Sequence, residues 1–176
     1  MVESEKGTEL IQKAQELKNE GNMLYQAKEY KQAIAKYSKI FLFINGLVSK
    51  KDAMAQYSKN LISDENESAI SELKYAAYSN MAAAYLALKE YTKAIRKATL
   101  ALEIKVNSKV LYRRALAYIE TGDTDSAKVD LDKANQMQPN DPMIIGAYNK
   151  LMQKTEEVLK KEKRKYKGFF DKLDSS

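Results

Sequence analysis

"YSNMAAAYLALKEYTKAIRKATLAL", Tyr78–Leu102, is the stretch whose reading decides the fold. Its first half is alanine, leucine and tyrosine; a charged break follows at Lys89 and Glu90; a second block with apolar residues at helical spacing opens near Ala94. Two helix-sized blocks around a tight break describe a helical hairpin, with alanines where the two helices approach closely. Asn80 is the odd residue in the first block. Its side chain competes for backbone hydrogen bonds inside a helix, and an unpaired buried amide would cost about 1–3 kcal/mol.

The hairpin recurs on both sides. "KNEGNMLYQAKEYKQAIAKYSKI" (Lys18–Ile40) and "LYRRALAYIETGDTDSAKVDLDKANQMQP" (Leu111–Pro139) align with it on Ala33, Ala94 and Ala127. Ala94 to Ala127 is 33 residues, close to the tetratricopeptide period of about 34. Ala33 to Ala94 is 61, one repeat plus a surplus that falls in the polar stretch "NGLVSKKDAMAQYSKNLISDENES" and reads as an insertion. Gly21, Ala82 and Ala115 share the small position of close helix approach, and Leu24, Tyr85 and Tyr118 follow three residues later. Tyr37, Ala98 and Leu131 fall on the second helix of each repeat, with Ala101 and Ala134 after them in the later two. Ile40 replaces a small residue in the first repeat, and the second ends in "VNS" without a proline.

The expected fold is all-α: a solenoid of three helix-turn-helix repeats and a long C-terminal capping helix, seven helices in all. The expected division is one domain over 1–176, with repeats at 8–45, 68–106 and 107–140, an insertion with extended helix ends at 46–67, and the terminal helix with its basic tail at 141–173. Asp141 is the expected N-cap of that helix and Pro142 its first residue. Ile145, Met152, Leu159, Tyr166 and Leu173 recur every seven residues along it. Its first half is expected to cover the third repeat and its second half to project.

Composition removes several function classes. The 176 residues contain no cysteine and no histidine, which excludes disulfides, thiolate nucleophiles, Cys/His zinc sites and any histidine base. No catalytic residue, metal or cofactor is expected. The longest apolar runs, such as "IFLFI", are too short to span a bilayer, and "MVESEKGTEL" has no apolar leader. "NES" at Asn66 matches a glycosylation sequon but reads as a polar loop. The net charge of +6 is concentrated in "VLKKEKRKYKGFFDKL", Val158–Leu173, which carries +5. The near-neutral body gives no reason to expect nucleic acid as a partner, and the cytoplasm is the expected compartment, with the nucleus open.

Five polar residues on the first helices of the repeats point to a ligand. Lys18 and Asn22 are spaced i, i+4 on the first, Asn80 lies on the second, and Lys109 and Arg113, again i, i+4, on the third. Together they are three cations and two amides with no acid among them, candidates for contact with a ligand. The arrangement resembles the dicarboxylate clamp of co-chaperone tetratricopeptide domains, which hold the C-terminal "EEVD" of seventy- and ninety-kilodalton heat-shock chaperones. The resemblance implies that Lys18, Asn22 and Asn80 meet the terminal α-carboxylate, Lys109 the last aspartate side chain, and Arg113 the peptide backbone or the preceding acid. Arg114, about 100° around the helix, is instead read as pairing with an acid such as Asp130.

The insertion and tail narrow the resemblance to the C-terminal domain of large FKBP-type immunophilins and cyclophilin relatives. It implies a lengthened second helix in the first repeat, an extended first helix in the second, and a peptidyl-prolyl isomerase domain upstream of a chain that does not itself catalyse. Lysine far outnumbers arginine, 26 to 4, which points to an AT-rich genome such as an apicomplexan's. The basic tail, with Leu159, Tyr166, Phe169, Phe170 and Leu173 as anchors, is a candidate calmodulin site. Against that, Leu159 is answered by Lys172 at the spacing where a second bulky anchor is needed. Weak attraction to an anionic membrane surface is another option for the tail, without stable association. Two terminal helices could also pair through Met152, Leu159, Tyr166 and Leu173. The competing whole-chain reading is a scaffold that binds a different protein, with a calmodulin-binding tail.

Overall fold

The computed structural model describes the backbone of residues 2–47 and 63–173 and the side chains of 6–47 and 63–165. Among the described residues it holds seven helices and no strand: α1 (Val2–Gln26), α2 (Tyr30–Ile44), α3 (Asp64–Ala87), α4 (Tyr91–Ile104), α5 (Ser108–Thr121), α6 (Thr124–Met137) and α7 (Pro142–Leu173). The fold is the expected all-α tetratricopeptide arrangement. Its helices gather into two compact units, Met1–Val106 and Asn107–Ser176.

The repeat is visible in the turns. At the hairpin elbows the backbone enters the left-handed region at Lys28 (φ 63°), Lys89 (φ 60°) and Gly122 (φ 84°), the same place in all three repeats. Each elbow closes with the same bond across five residues: Glu29 N–H to Leu24 O (2.9 Å), Glu90 N–H to Tyr85 O (2.9 Å), and Asp123 N–H to Tyr118 O (3.0 Å). These bonds satisfy carbonyls that the end of a helix would otherwise leave orphaned.

In the first unit, α1 packs on α2, α3 on α4, and α3 lies against both α1 and α2. Its core contains Ala14, Ala33, Tyr37, Ile40, Ile44, Ile70, Leu73, Ala77 and Met81. Burying each large aliphatic side chain there is worth about 1.5–3 kcal/mol. The extended first helix of repeat two is present, since α3 begins at Asp64 and runs 24 residues. Its start is built by Ser63, whose hydroxyl accepts the Asn66 N–H (3.4 Å), and by Asp64, Glu65 and Glu67 at the positive end of the helix dipole. Asn66 therefore sits in a helical first turn, not a loop, and its amide donates to Thr8 of α1 (3.4 Å).

The lengthened second helix expected in repeat one is not found in the described residues. α2 ends at Ile44 after 15 residues, where Asn45 N–H returns to Phe41 O (3.0 Å) and Asn45-Gly46 opens a turn. Residues 48–62, the rest of the insertion, lie outside the described residues.

In the second unit α5 packs on α6, and α7 docks on both. Asp141 caps α7, its carboxylate accepting the Met143 N–H (2.7 Å), with Pro142 first in the helix as expected. The docking face needs correction. Ile144, Ala147 and Leu151 are buried, whereas Ile145, Met152 and Leu159 are 48%, 71% and 51% exposed. Ile144, Leu151 and Val158 form a second seven-residue series, one residue and about 100° away from the first, and that series supplies the docking face. Tyr166, Phe169, Phe170 and Leu173 lie on α7, but their side chains are outside the described set.

Candidate carboxylate-binding site

In the first unit the site begins with a close approach of α1 and α2. A Cβ built on Gly21 would lie 2.4 Å from Tyr37 Cε1 and 3.0 Å from Cζ, so only glycine lets this ring lie on the α1 backbone. The ring carries its hydroxyl to the next residue of α1. Tyr37 O–H donates to Asn22 Oδ1 at 3.0 Å, and Asn80 Nδ2–H, from α3, donates to the same oxygen at 2.9 Å.

The amide in the alanine-rich helix is thus half-buried and bonded to a second amide. Lys18, one turn before Asn22, lines a groove of about 410 Å³ between α1 and α3 with Ile11, Gln15, Leu73 and Ala76. Glu72 also lines that groove, but its carboxylate is engaged by Lys105 at 2.8 Å.

In the second unit, Lys109 and Arg113 lie one turn apart on α5, Lys109 exposed and Arg113 half-buried. Asn107 caps the helix by accepting the Lys109 N–H (2.9 Å). Arg114 takes the structural part read for it. Its Nε and Nη2 donate to the two oxygens of buried Asp130, both at 2.7 Å. That bond holds the guanidinium pKa above its ordinary value, against the opposing effect of burial.

The structure therefore joins Asn22 to Asn80 directly, places Lys18 beside them on α1, and keeps Lys109 and Arg113 together on one turn of α5. Tyr37 was missed as a polar participant because its spacing reads as core. The available signal was its partner, since Gly21 stands where the other repeats carry Ala82 and Ala115. Among the described residues no cluster of acids suits a metal ion, and no helix is long and apolar enough to cross a membrane.

No family model matches the chain. It is 28% identical over 166 residues, 94% of its length, to peptidyl-prolyl cis-trans isomerase FKBP4 of Bos taurus. It spans about a third of the length of the curated relatives it matches, 34% in that case. Among solved structures it resembles the C-terminal TPR-containing domain of a Plasmodium falciparum FK506-binding protein, with 27% identity and a TM-score of 0.73, covering 88% of this chain and 95% of that one. It also resembles the myosin chaperone UNC-45 of C. elegans, solved with a Hsp90 peptide, at 25% identity and a TM-score of 0.64, covering 85% of this chain and 14% of that one. What the chain matches is a class of binding modules, and it is homologous to the C-terminal tetratricopeptide-repeat region of FKBP4-type immunophilins.

Proposed function

We propose that this chain is a co-chaperone module that captures the C-terminal "EEVD" segment of a ninety-kilodalton heat-shock chaperone, or its seventy-kilodalton counterpart, through a dicarboxylate clamp. Lys18, Asn22 and Asn80 take the terminal α-carboxylate. Lys109 takes the last aspartate side chain, and Arg113 the backbone or the preceding acid. The observation that carries this reading is the Asn22–Asn80 amide pair at 2.9 Å, on adjacent helices and beside Lys18. Further support comes from the UNC-45 likeness, that protein having been solved with a Hsp90 peptide. A C-terminal aspartate offers two carboxylates, and charge-assisted bonds to them are about twice as strong as neutral ones. In the parent protein the module tethers a peptidyl-prolyl isomerase domain to the chaperone, in the cytoplasm where such chaperones act.

Calorimetry with acetylated MEEVD peptide tests this. Micromolar binding is expected, about −8 kcal/mol, and it disappears when the peptide's C-terminus is amidated. Asn22→Ala and Lys109→Ala each weaken it by more than about tenfold, whereas Arg96→Ala, at an exposed position on α4, leaves it unchanged. Unchanged binding in both clamp variants would sink the mechanism.

A second contact is proposed for the tail. α7 continues to Leu173 although its buried residues end at Leu151, and Leu159 is exposed with Lys160, Lys161, Lys163, Arg164 and Lys165 after it. That arrangement suits capture by calmodulin, read as a calcium-dependent fluorescence change on titration; calcium-independent or absent binding rejects it.

A further inference from the structure

We infer that Tyr37 is a positioning residue for the carboxylate site: its hydroxyl fixes the Asn22 amide with the oxygen turned inward and the N–H donors turned toward an anionic ligand. The identity of the ligand rests on the clamp reading above, whereas the hydrogen-bond geometry stands without it.

Tyr37 is 1% exposed and packs its ring on Gly21. The equivalent pairs in the other repeats are Ala82 with Ala98 and Ala115 with Leu131, so repeat one alone gives up a Cβ to admit an aromatic ring. Packing does not explain the choice of ring. Phenylalanine would fill the same space and bring no buried hydroxyl that needs a partner. Here the hydroxyl is used, donating to Asn22 Oδ1 at 3.0 Å, while Asn80 donates to the same atom at 2.9 Å.

A carbonyl oxygen has two lone pairs, and both are now occupied. Rotating the Asn22 amide by half a turn would set its NH₂ against the Asn80 NH₂, donor against donor. With Asn80 in this orientation that clash holds the Asn22 amide in place, and the Tyr37 hydroxyl adds a second bond to the same oxygen. Both Asn22 Nδ2 protons are left without an acceptor among the described residues, and the second Asn80 proton is in the same state. What Asn22 itself offers is donors only, beside the Asn80 carbonyl oxygen. A carboxylate, which only accepts, matches the Asn22 protons; an ammonium, which only donates, does not.

The test is calorimetry with acetylated MEEVD as free acid and as C-terminal amide, on wild type, Tyr37→Phe, Asn22→Ala and the double variant. Tyr37→Phe keeps the ring, so circular dichroism should show a native fold. It is expected to bind the acid roughly five-fold more weakly, the equivalent of one neutral hydrogen bond, with no change toward the amide. Because Tyr37 acts through Asn22, the same substitution in the Asn22→Ala background should cost nothing further. Wild-type affinity in Tyr37→Phe, or a loss that persists without Asn22, overturns the inference.

The network is also read with no ligand present. In the free protein, Tyr37→Phe should shift the Asn22 and Asn80 side-chain amide proton resonances and speed their exchange with water, and unchanged spectra overturn the inference whatever the peptide does. Failure of the clamp reading looks different: wild type does not distinguish acid from amide, while the ligand-free spectra still respond. That result leaves the locked amide standing and overturns the carboxylate assigned to it here.

Discussion

In repeat one Asn22 meets Tyr37, fifteen residues on; in repeat three Arg114 meets Asp130, sixteen on. Both pairs join the two helices of a hairpin, and both put a polar group where most repeat positions are apolar. They differ in what is left over. Arg114 and Asp130 close on each other with two parallel bonds, and Asp130 is only 3% exposed. The Asn22 corner saturates one oxygen and leaves its protons for something else. A polar side chain inside a repeat protein can therefore be a closed joint or an open socket. Counting donors against acceptors tells them apart where residue type does not.

The comparison can be broken most severely at the closed joint. Asp130→Ala removes both of these bonds from the half-buried Arg114 guanidinium and should lower unfolding stability by about 3 kcal/mol, read from chemical denaturation. A loss below about 1 kcal/mol would mean that the pair behaves like a surface contact.

Gly21→Ala comes next. Alanine is the better helix former by about 1 kcal/mol, yet its Cβ has no room beside Tyr37 Cε1, which is 2.4 Å away. We expect a net loss of about 2 kcal/mol, with most of it recovered in Gly21→Ala/Tyr37→Leu, which copies the pairing of repeat three. Failure of the double variant to recover would show that the ring is not the obstacle.

The smallest effect is expected on the exposed series of α7. Met152→Ala should change the unfolding midpoint in denaturant by the equivalent of less than about 0.5 kcal/mol, because Met152 is 71% exposed while neighbouring Leu151 is buried. A large loss would return the docking face to the Ile145–Met152–Leu159 series.

Much of this was legible in the residues. Ala33, Ala94 and Ala127, on which the repeats were aligned, are all at most 2% exposed, and Gly21, Ala82 and Ala115 are buried as the small position requires. Strong periodicity and small residues carry across because close helix approach leaves no alternative to them. The Arg114–Asp130 pair was legible too, through its angular offset from Arg113.

The α7 face was not. Ile144 and Ile145 each head an aliphatic series of the same period, and only the surface of α5 and α6 decides between them. The Tyr37 hydroxyl was invisible for a related reason. Its position in the pattern specifies a ring, whereas its oxygen matters through residues on two other helices. The bound of repeat one at residue 45 agrees with the end of α2, and "NG" at Asn45-Gly46 marks the turn; only the implied likeness suggested a longer helix.

The three elbows carry one more consequence. Gly122 turns through the left-handed region at no steric cost, but Lys28 and Lys89 make the same turn with a side chain, each bearing about 1 kcal/mol of backbone strain. Two of the three repeats are therefore sprung at the hinge between their helices, and the third is relaxed. The hairpins are not equivalent building blocks, and the two that hold Asn22 and Asn80 are those with tension available to be released.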